Sequence, residues 1–303
     1  MSLSIGKPFH VVHVAEALAP LDAWYDEVFV PIRGFMDANF SPRDLRDGSL
    51  LGIGEELIET MAPAAVPGGD TQAVGRFFTR FGRHLHSLAW YTDDVGAIWD
   101  RLVERGIRVV SPMSADERPD WGDIYTHPKD TCTQLEFFQP TSDHPGPPDP
   151  RFAPDWPARW AASPNPLGIS RMAYSTVVTN DPDRAASVFI EVLGADPLVT
   201  ETSALTGTAS LFVSLGPGSV VELAVPLDPA SLAGRDLAAC GDTCHAVAWL
   251  VDDLDAVAAH LGARGIGIAG RDDETLLAEP ADTYGAALRF TTRRVPGDPR
   301  DRP

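Results

Sequence analysis

Cysteine, basic charge and long apolar runs are what this sequence has least of, and each shortage excludes something. Three cysteines among 303 residues, Cys132, Cys240 and Cys244, are too few for a disulfide framework, so a reducing, cytoplasmic setting is expected. Cys240-Gly-Asp-Thr-Cys244-His245 has the outline of a metal clip, but no second ligand pair completes a tetrahedral zinc set, and the segment reads as structural. The formal net charge of −19 argues against a nucleic-acid partner, whose phosphates demand a basic face. No apolar run approaches a membrane span and no charged-then-apolar leader precedes the first strand, so no membrane association is expected. With 44% hydrophobic residues, the chain suits two globular domains, each long enough for its own core.

What the chain does have is repetition. His86-Ser-Leu-Ala-Trp-Tyr-Thr-Asp-Asp94 and His245-Ala-Val-Ala-Trp-Leu-Val-Asp-Asp253 each read as a strand that breaks at an acidic helix cap. In the first copy Val95, Ile98, Trp99 and Leu102 follow at helical spacing until Gly106; in the second the helix runs to Gly265. Two further strand–helix pairs follow from the same template: Phe9 to Val14 with Pro20 to Phe29, and Arg171 to Val178 with Pro182 to Leu193. Three closing strands share a spelling, Glu59-Thr-Met-Ala-Pro63, Glu136-Phe-Phe-Gln-Pro140 and Glu222-Leu-Ala-Val-Pro226, and the fourth has Arg289 in place of the glutamate. The chain is therefore expected to be α+β, four βαβββ units with a period of roughly 60–80 residues.

These units pair into an N-terminal domain over 1–140 and a C-terminal domain over 169–303. Between them, residues 141–168 are rich in proline, from Pro145 to Pro166. Proline at that density opposes helix and ladder pairing, so an extended strap is expected, pinned to the surface by Trp156 and Trp160. The tail from Pro296 to Pro303 reads as frayed. The connector Arg76-Phe-Phe-Thr-Arg80-Phe-Gly-Arg83 is read as an amphipathic helix. Arg76 and Arg80 share one face there, as a cationic rim for an anionic substrate. The loop from Asp116 to Asp123 carries Trp121 and is placed over the site.

Polar residues that fall on strands carry the chemistry. The first half has His10 and His13 on one opening strand, His84 and His86 on the other, and Glu59 and Glu136 on the closing strands. Imidazoles and carboxylates are the ligands a borderline divalent cation takes, and two of each make a mixed site with water positions free.

This pattern resembles the vicinal oxygen chelate superfamily over nearly the whole chain. That family includes glyoxalase I, methylmalonyl-CoA epimerase, extradiol dioxygenases and metal-free bleomycin-resistance-type proteins. The resemblance implies two tandem glyoxalase-like domains with curled mixed sheets and a metal in the cleft. By position the first histidine falls on His10, seven residues before Ala17-Leu18, and the two glutamates fall on Glu59 and Glu136. The second histidine departs: seven residues before Asp94 lies Ser87, so His86 is one early and points to the wrong face unless a β-bulge intervenes. His13 and His84 are assigned supporting roles. The extradiol dioxygenases hold iron in the C-terminal half by two histidines and a glutamate. Here only His245 could serve, Tyr174 stands at the other histidine position, and Glu222 with Arg289 reads as an ion pair. The second domain is thus taken as a degenerate copy.

The resemblance implies a metalloenzyme of the glyoxalase or epimerase type, a lyase or isomerase. His10, Glu59, His86 and Glu136 hold Zn, Ni, Mn, Co or Fe; Glu59 or Glu136 is the base; and a small oxygenated, anionic substrate reacts through an enediolate. Extradiol-type dioxygenation and metal-free binding of a cationic aromatic ligand are the alternatives. A homodimer is compatible with either.

Overall fold

The computed structural model describes residues 3–110, 118–143, 145–147 and 149–302. Asp116 and Glu117 of the expected overhanging loop, and Pro148 of the strap, lie outside the described residues. The first half contains β1 (Ile5–Val14), β2 (Ile32–Ser41), β3 (Arg46–Ile53), β4 (Glu56–Pro63), β5 (His84–Thr92), β6 (Val109–Val110), β7 (Gly122–Thr126) and β8 (Gln134–Gln139). They form one mixed sheet in the order β2-β3-β4-β1-β5-β8-β7-β6. The second half repeats it with β9 (Ile169–Val178), β10 (Asp196–Ser203), β11 (Thr208–Leu215), β12 (Ser219–Pro226), β13 (Thr243–Val251), β14 (Ile268–Arg271), β15 (Thr275–Ala278) and β16 (Ala287–Thr291). Their order, β10-β11-β12-β9-β13-β16-β15-β14, is the same strand for strand. The four-unit α+β reading holds in full.

Each unit sends its chain from the opening strand into a helix, then through three antiparallel strands, the last returning parallel to the first. Thus β1 pairs parallel with β4, and β5 with β8, while β1 and β5 meet antiparallel at the middle of the sheet. The helices α1 (Leu18–Val28) and α3 (Val95–Glu104) follow β1 and β5. As the acidic pair predicts, Asp94 caps α3 by accepting from the Ala97 N–H at 2.8 Å, and Asp253 caps its counterpart Leu254–Gly262 in the same way. Leu21, Tyr25, Ile98 and Leu102 of these helices join Val11, Ile58, Leu135 and Phe137 of the sheet in one core. That core runs on without a break into Val177, Trp249, Leu254 and Phe290 of the second half. Where the halves touch, backbone meets backbone: a Cβ on Gly285 would lie 2.0 Å from the Arg83 carbonyl oxygen, so no larger residue fits there.

Two expectations for the irregular segments fail, for identifiable reasons. Proline does not bar a helix from the strap, because Pro157 sits in the first turn of Trp156–Ala161, where its missing N–H costs nothing. Trp156 does pin the strap, buried edge-on against Phe35. Nor is the tail frayed. Arg300 donates to the carbonyls of Ala173 and Gly218 at 2.7 and 3.2 Å and is paired with the buried Asp298. Arg151, paired with Asp149, does the same to the carbonyls of Phe9 and Glu55, both at 3.0 Å. Asp149-Pro-Arg151 and Asp298-Pro-Arg300 are therefore one repeated clasp after each sheet. Among the described residues no helix is long and apolar enough to cross a membrane.

Between the halves, Glu56 lines a small cavity with Trp90, Met172 and Arg300. Burial pushes its pKa up to about 7, against the pull of Arg151 and Arg300. The native state therefore holds a proton that the unfolded chain, near 4.5, has already lost. Stability from this group is fully present below the unfolded value and is lost as pH rises through about 7. Replacing Glu56→Gln is expected to flatten that decline in urea-unfolding midpoint between about pH 5 and 8; an unaltered slope would refute the assignment.

Candidate functional site

The face of the first sheet opposite its core bends around a cavity of about 670 Å³. Strand alternation selects the lining two residues at a time: His10 and Val12 from β1, Glu59 and Met61 from β4, Asp123 and Tyr125 from β7, Gln134, Glu136 and Phe138 from β8. Side chains from both ends of the sheet reach one space, which is what a curled sheet provides. Helix α2 (Ala73–Phe81) covers one side with Ala73, Val74 and Arg76.

On the floor of the cavity the buried His10 directs Nε2 between two carboxylates, 3.2 Å from Oε2 of Glu59 and 3.2 Å from Oε2 of Glu136. Its Nδ1 is buried and makes no hydrogen bond among the described residues, so Nε2 alone ties the ring. Burial by itself lowers the His10 pKa, but Glu59, Glu136 and the Glu136 hydrogen bond outweigh it and the net shift is upward. Glu136 is also shifted upward, by burial first, with His10 pulling against it. The two glutamates differ in environment: Arg46 forms an ion pair with Glu59 Oε1 at 3.1 Å, whereas Glu136 is held by His10.

His86 reaches the same cavity because the strand is irregular where it sits. Val11 and His13 of β1 face Leu88 and Leu85 of β5, so β5 spends one extra residue over that step. This is the bulge that His86 required, and it leaves His86 and Ser87 both on the cavity wall, His86 Nδ1 2.9 Å from the Ser87 hydroxyl. Phe77 of α2 packs edge-on against the imidazole at 4.5 Å between centroids. Burial, then the positive charges of His84, Arg46 and His10, push His86 down to about 4, so its ring is neutral at pH 7.

The other expected residues fall in different places. Arg76 lines the cavity, its guanidinium bonded to the Thr71 carbonyl at 2.5 Å. Arg80 stacks on Phe81 and Trp121 sits on the loop before β7; neither is among the lining residues. His13 is structural, held by the Tyr25 hydroxyl at 2.8 Å and the Tyr284 carbonyl at 2.9 Å. Sequence reasoning missed Arg43 and Arg46 on the wall, since an arginine in a turn or at the strand end beside it carries no signal of its own. The bulge did leave a signal: His86 and His245 are offset by the same one residue, and β13 shows the same irregularity, with Cys244 and Ala246 facing the adjacent Val177 and Thr176.

The equivalent point in the second sheet is closed. Tyr174, Glu222, His245 and Arg289 stand where the first sheet has His10, Glu59, His86 and Glu136, as strand pairing confirms. Arg289 donates to Glu222 at 2.6 Å, both are buried, and Thr176 and Ser210 donate to the same carboxylate at 2.5 and 2.7 Å. The expected ion pair is thus present. Arg289→Ala should destabilise the protein by about 3–5 kcal/mol, because it leaves a buried carboxylate unpaired. Replacing both partners, Glu222→Leu with Arg289→Met, should recover most of that loss in the urea midpoint.

Comparison with known proteins agrees with this architecture. Two models described as Glyoxalase/Bleomycin resistance protein/Dioxygenase superfamily match residues 41–140 and 175–281, together well over half the chain. No curated protein matches in sequence. Among solved structures, a mutant of 4-hydroxymandelate synthase from Streptomyces coelicolor superposes with a TM-score of 0.66 at 16% identity, covering 98% of this chain and 96% of that one. A xylose isomerase-like TIM barrel/4-hydroxyphenylpyruvate dioxygenase fusion protein gives 0.60 at 14% identity, over 96% of this chain and 49% of the fusion. Methylmalonyl-CoA epimerase from Mycobacterium tuberculosis gives 0.39 at 20% identity, over 43% of this chain and 92% of the epimerase. At these identities the likeness to the first two is one of fold.

Proposed function

The chain belongs to the Glyoxalase/Bleomycin resistance protein/Dioxygenase superfamily, and on that premise we propose that its first sheet is a metal-dependent enzyme site for a small oxygenated, anionic substrate. The observation that carries this reading is His10 Nε2 lying 3.2 Å from an oxygen of each of Glu59 and Glu136, with the neutral His86 on the same wall. Ligand atoms on a common ion lie about 3 Å apart at bonds near 2.1 Å, and imidazoles with carboxylates suit Zn, Ni, Mn, Co or Fe. His10, Glu59, Glu136 and His86 are the residues to hold it. When bound, such an ion supplies a Lewis acid for a substrate carbonyl. The second sheet supports the same view: where the carboxylate lacks a partner histidine, a guanidinium of the chain itself takes the cation's place.

The remaining chemistry belongs to the side chains. Glu136 is the proton acceptor, because burial lifts its pKa toward the working range of a general base. Glu59 is fixed through its other oxygen by Arg46 and keeps its place while Glu136 exchanges a proton. Two carboxylates in unlike surroundings are what a division between holding and proton transfer needs. Arg43, Arg46 and Arg76 give the wall a cationic stretch that draws a substrate carboxylate into an otherwise acidic protein. Proton removal beside a carbonyl, giving isomerisation, epimerisation or lyase chemistry, follows from this arrangement. Two readings compete. His10, His86 and one glutamate also make a two-histidine, one-carboxylate set for O₂ chemistry on iron, and Phe9, Tyr125 and Phe138 on the wall suit a flat ligand merely bound.

Metal content by plasma mass spectrometry, on protein purified without chelator or nickel resin, separates the three. His10→Ala and Glu136→Ala should each lose about one equivalent of metal per chain relative to the parent. Iron with O₂ uptake selects the dioxygenase. Equal metal in parent and variants, both as purified and after adding Zn²⁺ or Mn²⁺, sinks the metalloenzyme reading in favour of binding.

A further inference from the structure

A second group of candidate ligands lies away from the cleft, where the two halves meet. Among the described residues, His84, Asp236 and Cys240 offer ligand atoms that all lie within 4.8 Å of one another. The cleft residues do not meet that condition, so this cluster is the tighter one. Its members come from the two halves of the chain: His84 opens β5, while Asp236 and Cys240 stand four residues apart on the helix Leu232–Cys240 that leads into β13. That spacing puts the carboxylate and the thiol on one helix face.

The hydrogen bonds around the cluster aim each ligand. His84 Nδ1 faces the Leu85 carbonyl at 2.5 Å, which assigns the ring proton to Nδ1 and turns Nε2 toward Asp236, 2.8 Å from Oδ1. The other oxygen of Asp236 is held by His245 Nδ1 at 2.6 Å. With Nδ1 taken by the Leu85 carbonyl, Nε2 is the imidazole nitrogen left to face both the carboxylate and the thiol. A Cys–His–Asp relay needs the two partners on opposite nitrogens, so the arrangement is that of ligands around a point rather than of a nucleophile and its base. His84 is buried, and Asp236 and Cys240 are half-buried, which leaves the point an entry path from solvent.

We propose that His84 Nε2, the Asp236 carboxylate and the Cys240 thiolate form a zinc site that staples the first sheet to the second. Three protein ligands leave the fourth tetrahedral position to water. One carboxylate and one thiolate balance the charge of a divalent ion, and a thiolate selects zinc over magnesium or calcium. Loading releases the thiol proton and the proton shared between His84 and Asp236. Of Cys240-x-x-x-Cys244-His245, read from the sequence as structural, only Cys240 belongs to this site; Cys244 is buried in the main core, and the other ligands come from His84 and the helix.

The test uses the 303-residue chain stripped of metal and titrated with Co²⁺. A thiolate ligand gives a near-ultraviolet charge-transfer absorption that the cleft, having only nitrogen and oxygen donors, cannot produce. The band should saturate at about one Co²⁺ per chain in His10→Ala and Glu136→Ala, be present also in the parent, and vanish in Cys240→Ser. Zn²⁺ should displace it. Independently, Cys132 and Cys244 are buried, so the thiol of the native protein that reacts with a disulfide reagent is Cys240. In His10→Ala, where the cleft does not compete, one equivalent of Zn²⁺ should slow that reaction at least tenfold. No band, a band that survives in Cys240→Ser, or a thiol reactivity unchanged by Zn²⁺ would each overturn the proposal, whatever the cleft proves to bind.

Discussion

A strand with one free edge governs this molecule. Within a βαβββ unit the closing strand returns to one flank of the opening strand and leaves the other flank's N–H and C=O groups without partners. A second unit satisfies them, and it does so twice here, at β1 with β5 and at β9 with β13. The seam then lies at the centre of an eight-stranded sheet, flanked by both closing strands. Residues placed on those four central strands must converge. That is why His10, Glu59, His86 and Glu136, scattered over more than a hundred positions of sequence, end on one cavity floor.

The seam also explains the bulge. Two opening strands joined antiparallel have no turn to set their register, so the ladder between them accommodates the extra residue in β5. Its effect is chemical. A regular strand would send His86 and Ser87 to opposite faces; the bulged one turns both into the cavity. The same extra residue in β13 places His245 against Asp236 instead, so one backbone irregularity serves a cavity in one sheet and the contact between sheets in the other.

Much of this was legible in the sequence, and the gaps have physical causes. The repeated spelling at His86 to Asp94 and His245 to Asp253 gave the units, because strand, cap and helix each leave a local periodicity. The closing glutamates gave the floor of the cavity for the same reason. The bulge was not legible, since period-two counting assumes a regular strand, although the equal offset of both histidines carried the information. Arg46 was invisible because its role is set by a cross-strand neighbour. Asp236 and His84 were invisible as a pair because helix and strand come from different halves, and only tertiary packing brings them within reach. Proline content misled over the strap and the tail: it marks where ladders end, not whether a segment is anchored.

The anchoring clasps change what counts as one heritable piece of this chain. Arg151 and Arg300 bond to equivalent carbonyls, Phe9 and Glu55 in one half, Ala173 and Gly218 in the other, so the clasp repeats with each sheet and is not peculiar to the segment between them. A boundary drawn at the end of the eighth strand would cut the arginine from the strand it steadies, the one that bears His10. Recombination or trimming that respects the sheet alone would thus inherit an incomplete fold. The segment least like a domain by composition is the one that completes it.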